Sequence, residues 1–455
     1  MKGQQVQPRS DFSKGTVWKI ILAQAIPLII AQLVHLLYNI VDRIFIGHME
    51  GVGSLALTGV GLTFPIVTII MAFAALFGVG GVPLFSIARG AKEIDRAGKI
   101  IGNSFSLLLI SGAVLTVLGY VFCRPVLFAF GASEASYVYA SEYLHIYLIG
   151  TVFSVVATGM NGYINAQGFP KIGMLSVAIG AGINIVLDPI FIFLLDMGVS
   201  GAALATVISQ LISAGWVLMF LFGKKAVIAL DPKNMVIEKQ IAADIAKLGA
   251  STAVMQGTTC IVQVACNATL QMYGGDLFVG IMTVTNSVRE IFMLPVSGIG
   301  SGAQPVIGYN YGAKQYTRVR QGINFLTLAS VAYTLAAWIL VFFLPKVWIG
   351  VFTDDITMIE AGVPMLRTYF FGFIFMALQF SGQTTFLSLG DAKHSIFFSL
   401  LRKVIIVLPL TLLLPAMGYG VNGVFMAEPI SNVIGGLACH VTMRLTVYKK
   451  MLKPE

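Results

Sequence analysis

The sequence predicts an all-α membrane protein with twelve transmembrane helices arranged as two similar six-helix halves. Composition is the first reason, because 57% of the 455 residues are apolar and only 11% are charged, with a mean hydropathy of +0.86. An ordinary soluble protein carries roughly 25% charged residues, so this chain could not cover a water-facing surface. The other two reasons are the number of long apolar runs and an internal repeat.

Long apolar runs define the membrane spans. A helix needs about 20 apolar residues to cross about 30 Å of hydrocarbon. The runs are continuous rather than alternating, which excludes a transmembrane β-barrel. The first run is too long for a cleaved signal segment, so we expect it to remain as the first span. The predicted spans are 17–46, 54–85, 97–122, 136–163, 170–194, 199–222, 245–270, 277–310, 321–345, 357–385, 394–416 and 421–445.

Lysine and arginine are concentrated in alternate loops and near both ends of the chain. The positive-inside rule therefore places both termini in the cytoplasm. The same distribution accounts for the net charge of +9 and argues against nucleic-acid binding. The predicted organisation is a cytoplasmic tail (1–16), an N-lobe (17–222), a cytoplasmic linker (223–244), a C-lobe (245–445) and a second cytoplasmic tail (446–455).

The chain repeats itself at a shift of 222 residues, so that Gly90-Ala91-Lys92 recurs as Gly312-Ala313-Lys314. Each half holds six spans, an even number, so both halves enter the membrane from the same side. We expect them to be related by an axis along the membrane normal, with a substrate path between them. A channel with duplicated halves is the alternative. The same shift relates Gly78 to Gly300, Pro83 to Pro305, Gly168 to Gly390, Gly198 to Gly420 and Ser209 to Ser431.

Polar side chains inside the N-lobe spans are functional candidates, because ionisable groups are costly within a membrane. Asp42, Asp188 and Thr206, on the first, fifth and sixth spans, fall at a similar depth, counting about 1.5 Å per residue from the outer loops. Asn184 precedes Asp188 by one helical turn and shares its face. Tyr143 on the fourth span could reach the same layer.

Such a cluster suits two tasks. Carboxylate, amide and hydroxyl oxygens can hold a hard cation such as Na⁺. Alternatively, two carboxylates in a dry site favour the neutral form of one of them, which then carries a proton. The structural alternatives are an ion pair between Asp42 and Arg43 and a kink cap formed by Asp188 beside Pro189. The repeat argues against a structural requirement, because Leu410 stands at the position that matches Asp188.

Pro27 lies inside the first span, where a proline removes a backbone hydrogen bond and permits bending. It predicts either a static kink or a hinge that responds to charge at Asp42.

The C-lobe spans carry charges of their own, which either pair with one another or line a central cavity where Glu290 or Glu428 faces a cationic substrate. Adjacent residues on a helix diverge by about 100°, so Arg289 and Glu290 cannot point the same way. The other charges are Arg367, Arg402 and Lys403. The residues that we predict for a substrate cavity are Tyr38, Asn39, Asn161, Met255, Gln256, Arg289, Glu290 and Glu428.

Enzyme signatures are missing from the sequence, including a P-loop, a His-Glu-x-x-His motif and a nucleophilic serine elbow. We therefore predict no enzyme activity, no cofactor, and an ion gradient as the source of energy. The 4 cysteines stand singly in apolar stretches, which is typical of small buried residues rather than of a disulfide framework.

Three segments resemble the signatures of the multidrug and toxic compound extrusion (MATE) transporters. The likeness extends over essentially the whole chain. The segments are Tyr38-Asn-Ile-Val-Asp42 with Phe45-Ile-Gly47, Asn184-Ile-Val-Leu-Asp188-Pro with Gly198-x-x-Gly201-Ala-Ala-x-Ala-Thr206, and Gln304-Pro305-x-x-Gly308-Tyr-Asn310-x-Gly312-Ala-Lys314.

The resemblance implies two six-helix lobes around a central cavity and export of drugs and organic cations in exchange for H⁺ or Na⁺. It also implies a location in the plasma membrane of a prokaryote, and we expect a monomer. In the prokaryotic subgroup with an N-lobe cation site, the functional positions fall here on Asp42, Asn184, Asp188 and Thr206, with Tyr143 as a further member and Pro27 at a first-helix bend.

One departure and one alternative accompany the resemblance. The family's other subgroup keeps acidic residues on the seventh and tenth helices, where this chain has Gln256, Gln263, Gln379 and Gln383, so a C-lobe cation site of that kind is not expected. The wider superfamily contains lipid-linked oligosaccharide flippases, whose anionic substrates would suit the basic residues of the C-lobe.

Overall fold

The computed structural model describes residues 11–49, 53–449 and 451, and every regular element in that part of the chain is a helix. Eight helical segments are long and apolar enough to cross a membrane, and two bent helix pairs bring the number to ten. Two of the eight are double spans. Lys239–Gly312 is interrupted by non-helical Gly275, and Ala392–Tyr448 is interrupted by left-handed Gly418. Dividing both of these gives the twelve predicted spans.

The described residues form sixteen α-helices, and several of these helices are joined by π-helical turns. The α-helices are α1 (Val17–Gly47), α2 (Gly53–Ala74), α3 (Gly81–Gly90), α4 (Ile94–Ala129), α5 (Glu134–Ile149), α6 (Thr151–Ala166), α7 (Pro170–Pro189), α8 (Gly198–Leu221), α9 (Lys239–Gly312), α10 (Tyr316–Phe343), α11 (Pro345–Gly350), α12 (Ile356–Phe370), α13 (Phe373–Ser388), α14 (Ala392–Leu400), α15 (Leu408–Leu414) and α16 (Gly420–Met443). The π-helical turns are Ala75–Val79, Ile190–Leu194, Leu401–Val407, Pro415–Tyr419 and Arg444–Tyr448, and a 3₁₀ turn covers Pro232–Met235.

The predicted boundaries need correction where helices continue beyond the apolar runs. Helix α9 begins at Lys239, inside the predicted linker 223–244, and the last helical turn reaches Tyr448, inside the predicted tail 446–455. A helix satisfies its own backbone hydrogen bonds, so it can continue into polar sequence once it leaves the apolar run. Residues 1–10, 450 and 452–455 of the predicted tails lie outside the described residues.

The internal repeat is confirmed in three dimensions at the same 222-residue shift. The bent pair α5–α6 matches the bent pair α12–α13 to within one residue at every helix end, with bends of 59° and 43°. Left-handed backbone also recurs at equivalent positions, which are Lys92 and Lys314, Gly168 and Gly390, and Gly198 and Gly420.

The described residues form two compact units, one of the residues before Gly15 with those of 26–249, and one of Gly15–Ala25 with the residues from Ala250 onward. The predicted N-lobe (17–222) therefore differs at its start, because α1 divides between Ala25 and Ile26. Close glycine contacts explain both divisions. A Cβ on Gly302 would lie 2.7 Å from the Ala25 nitrogen, and one on the equivalent Gly80 would lie 2.5 Å from the Gly249 nitrogen. Only glycine permits such close backbone approach, so each glycine ties one helix start into its unit.

Candidate functional site

Small residues bring α7 and α8 together where the predicted N-lobe cluster lies. A Cβ on Gly180 of α7 would lie 2.3 Å from the Ser213 Oγ of α8, and a Cβ on Gly201 of α8 would lie 2.7 Å from the Phe191 carbonyl carbon. Small side chains at such crossings allow helix backbones to approach closely in membranes. The approach places Asn184 and Thr206 on facing sides of the two helices.

The polar residues of α7 and α8 form one hydrogen-bonded group. Asn184 Nδ2 donates to Asp188 Oδ1 at 3.1 Å and lies 3.5 Å from Thr206 Oγ1. The Thr206 hydroxyl itself donates to the Ala202 carbonyl at 3.0 Å. Asp188 is 0% exposed and Asn184 is 2% exposed, so this polar group is removed from solvent.

Helix α1 adds the second carboxylate. The carboxyl groups of Asp42 and Asp188 lie close enough to interact with one another. Neighbouring Arg43 instead places its guanidinium over the Phe64 ring, 5.7 Å from the ring centre. No ion pair within 4 Å joins Asp42 to Arg43 in the described structure, so the first structural alternative from the sequence does not hold.

Three buried oxygens of this cluster have no hydrogen-bond donor among the described residues. They are Asp42 Oδ1, Asn184 Oδ1 and Asp188 Oδ2. An ionised carboxylate and an amide oxygen are acceptors only, and a buried acceptor without a donor is costly. A proton shared between the carboxyl groups would supply a donor to the two aspartates, and a cation bound by the three oxygens would compensate the Asn184 oxygen as well. The arrangement can therefore take up positive charge in either form.

Tyr143 and a second tyrosine extend the cluster along α5. Tyr143 is buried, and its hydroxyl lies near Thr206. Its ring stacks on the ring of Tyr147 with centroids 6.0 Å apart. The sequence analysis did not single out Tyr147, although its spacing of four residues from Tyr143 places both on one helix face.

The α1 residues next to Asp42 are organised by a histidine that the sequence analysis also missed. Asn39 Nδ2 donates to the His35 carbonyl at 2.7 Å and lies 3.0 Å from His35 Nδ1. The Tyr38 hydroxyl lies 3.4 Å from His35 Nε2. The spacings of three and four residues were the available signal, since such pairs meet on a helix surface. Pro27 lies in the same helix.

In the C-half, Glu428 is paired with cations, as the first interpretation of these charges expected. Arg402 Nη1 donates to Glu428 Oε1 at 2.9 Å and to Asn432 Oδ1 at 2.8 Å. Lys403 Nζ lies 3.1 and 3.2 Å from the two carboxylate oxygens of Glu428. All four side chains are buried, with Lys403 only 3% exposed.

The remaining predicted cavity residues occupy varied environments. Arg289 is half-buried and Glu290 is exposed, so these neighbours point in different directions as predicted. Asn161 uses its amide to bind α7, donating to the Gly173 carbonyl at 2.9 Å. On α9, Met255 is half-buried and Gln256 is exposed. The structure brings none of these five side chains into the hydrogen bonds described above for Asn184, Asp188 and Thr206.

Comparisons with known proteins agree on the family. The chain is 25% identical over 436 residues to the multidrug export protein MepA of Staphylococcus aureus (strain MRSA252), covering 95% of each protein. It is 28% identical over 325 residues to the MepA protein of Staphylococcus haemolyticus (strain JCSC1435), covering 71% of each. A crystal structure of MATE in the bent conformation superposes with a TM-score of 0.92 at 24% identity, over 99% of this chain and 100% of that one.

The sequence profile of the MatE family matches this chain twice, over residues 27–190 and 252–413. The two matches fall one in each half of the repeat and together cover well over half of the chain. The chain therefore belongs to the MATE family.

Proposed function

We propose that the protein exports amphipathic, cationic organic compounds in exchange for H⁺ or Na⁺. The observation that carries the proposal is the set of three donor-less oxygens on Asp42, Asn184 and Asp188. Buried acceptor oxygens that lack hydrogen-bond donors attract a proton or a cation, and membrane-buried carboxylates are typical of ion pathways. The names of the MepA relatives as multidrug export proteins support the choice of drug-like substrates.

Exchange follows if the N-half has two conformations that differ in affinity for the coupling ion and for the compound. Uptake of a proton or Na⁺ between Asp42 and Asp188 removes the repulsion between two carboxylates and favours the conformation in which they lie close. An ion can shift such an equilibrium only by its difference in affinity for the two conformations. We propose alternating access in a monomer in the plasma membrane, with both termini in the cytoplasm.

Efflux of a cationic fluorescent dye from liposomes that contain the purified protein tests this function. A pH gradient and a Na⁺ gradient are imposed separately at zero membrane potential. We expect saturable dye movement driven by one of the two gradients, which also identifies the ion. Conductance that does not saturate would indicate a channel. Movement of a labelled lipid without any dye efflux would indicate a flippase and overturn the proposal.

We further propose that Pro27 acts as a hinge. It lies two residues after the point where α1 passes from one unit to the other. A proline lacks the backbone donor of an ordinary helical residue, which lowers the cost of bending there.

Pro27→Ala gives residue 27 a backbone N–H, so the helical hydrogen bond that proline cannot make should form. The substitution should slow dye transport more than it weakens dye binding. Transport rates in liposomes and dye affinity by fluorescence polarisation measure the two effects. The control is Pro125→Ala, which changes a proline inside α4 away from the cluster. A Pro27→Ala protein with unchanged transport rates would show that the proline is a static kink.

A further inference from the structure

In the described part of the C-half, three buried or half-buried basic side chains lie around one buried carboxylate. Arg289, Arg402 and Lys403 surround a single carboxylate, Glu428. Buried charges are retained in proteins only where an opposite charge and hydrogen bonds compensate for lost hydration. With three cations against one anion, the cluster lacks compensation for two positive charges.

The carboxylate of Glu428 is already committed to its two partners. Oε1 accepts from Arg402 and Lys403, and Oε2 accepts from Lys403. Arg289 lies close enough to Glu428 to be attracted by its charge but makes no hydrogen bond or ion pair within 4 Å with it among the described residues. Its Nε is buried without a hydrogen-bond partner, and no ion pair within 4 Å reaches Arg289 among the described residues. Neighbouring Glu290 is exposed on another face of α9.

A small cavity of about 20 Å³ lies beside these groups. Arg289, Lys403 and Glu428 line it together with Tyr369 and Asn286. A volume of this size accommodates one particle about as large as a water molecule or a small ion. The Tyr369 hydroxyl donates to Asn286 Oδ1 at 3.3 Å, so a hydrogen bond holds these two polar side chains of the cavity lining in place.

The basic groups are not a requirement of the fold. At the 222-residue shift, Arg402 and Lys403 correspond to Gly180 and Ala181 in the first half, and Arg289 corresponds to Val67. The same helix positions are therefore compatible with small or apolar side chains. The positive charge is an acquired feature of the second half.

We propose that this cavity binds a small monovalent anion of the size of chloride, held by Arg289 and Lys403. The anion supplies the direct ionic contact that Glu428 does not make with Arg289. Because Arg289 is half-buried, the anion enters the cavity from the side on which Arg289 lies. The competing explanation is a water molecule in the cavity beside an uncharged Lys403.

Bromide identifies the site directly, because its anomalous scattering distinguishes it from water. The full-length protein is purified in sodium gluconate, crystallised with sodium bromide, and examined near the bromine absorption edge. We expect an anomalous peak in the cavity, in contact with Arg289 and Lys403. A map with no anomalous signal there would overturn the proposal.

Thermal unfolding in detergent provides a second measurement that does not depend on transport. Sodium chloride should raise the melting temperature by about 2 °C or more over sodium gluconate of equal ionic strength. Arg289→Gln should remove most of this shift. The control is Arg367→Gln, since Arg367 is exposed and donates to the Phe342 carbonyl away from the cavity. Equal shifts in the wild type and in both variants would indicate a general salt effect and contradict the site.

The readouts of this proposal and of ion-coupled export are separate. Both salts contain the same Na⁺ concentration, so the N-half site experiences no difference between them. Asp188→Asn should therefore keep the chloride-dependent shift. Loss of the shift in Asp188→Asn together with its persistence in Arg289→Gln would place the anion elsewhere and overturn the assignment.

Discussion

Asp188→Asn should abolish gradient-driven efflux and leave the protein folded. The substitution keeps the size of the side chain but removes the negative charge, so the site loses its means of taking up a proton or Na⁺. The amide also introduces an N–H donor close to Asp42, where buried oxygens lack donors. Stability should therefore be unchanged or slightly higher. Dye efflux in liposomes should fall to the background of protein-free vesicles under both gradients.

Asp196→Asn is the matched control for this experiment. Asp196 is exposed in the loop after α7 and has a φ of 50°, a conformation that asparagine also tolerates. It undergoes the same chemical change eight residues further along the chain, and efflux should persist. Coupled efflux in a folded Asp188→Asn protein would remove this residue from the proposed ion site, whatever the behaviour of the control.

The spans and the repeat could be predicted from the sequence because each follows from one dominant physical constraint. The thickness of the hydrocarbon layer fixes the minimum length of an apolar run. The repeat is visible because glycines and turn residues recur in the second half at a constant shift of 222 residues. The helix ends could not be predicted as well. Polar residues such as those after Lys239 continue a helix outside the apolar run, where hydropathy gives no signal.

The candidate ion site was predictable to the level of its members but not of its contacts. Counting residues from the outer loops placed Asp42, Asp188 and Thr206 at one depth, and the structure brings them together. Depth alone cannot decide rotation about a helix axis. For that reason the position of Arg43 over Phe64 could be seen only in the structure. The same holds for the contact of Tyr147 with Tyr143, because a tyrosine in an apolar span has no charge that distinguishes it in the sequence.

The sequence alone could not show that Glu428 pairs with other C-half charges. Glu428 lies 25 residues from Lys403 and on a different helix, so no helical spacing links them. Comparison of the halves then shows how one framework supports opposite polarities. Thr206 and Glu428 occupy equivalent positions, yet Thr206 is linked through Asn184 to the carboxylate of Asp188, whereas Glu428 is bound by the cations Arg402 and Lys403. Shared backbone geometry therefore leaves the sign of the charge free to differ.

Glu428→Gln should be among the most destabilising conservative changes in the chain. It keeps the shape of the side chain but leaves Arg402 and Lys403 buried without their carboxylate. Removing one partner of a buried ion pair costs about 3–5 kcal/mol, because the remaining charge is neither hydrated nor compensated. Unfolding in mixed micelles, followed by circular dichroism over an SDS titration, measures the loss of unfolding free energy.

The control is Glu238→Gln, which removes a carboxylate from an exposed pair with Lys99 at 2.8 Å. Water and salt screen that pair, so the change in stability should be small. A Glu428→Gln protein as stable as this control would mean that Arg402 and Lys403 tolerate the loss of Glu428. It would then follow that the bound anion neutralises Lys403 while Asn432 suffices for Arg402, or that Lys403 is uncharged. Repeating the titration in gluconate separates these cases, because only an anion-neutralised cluster should lose stability when chloride is withdrawn.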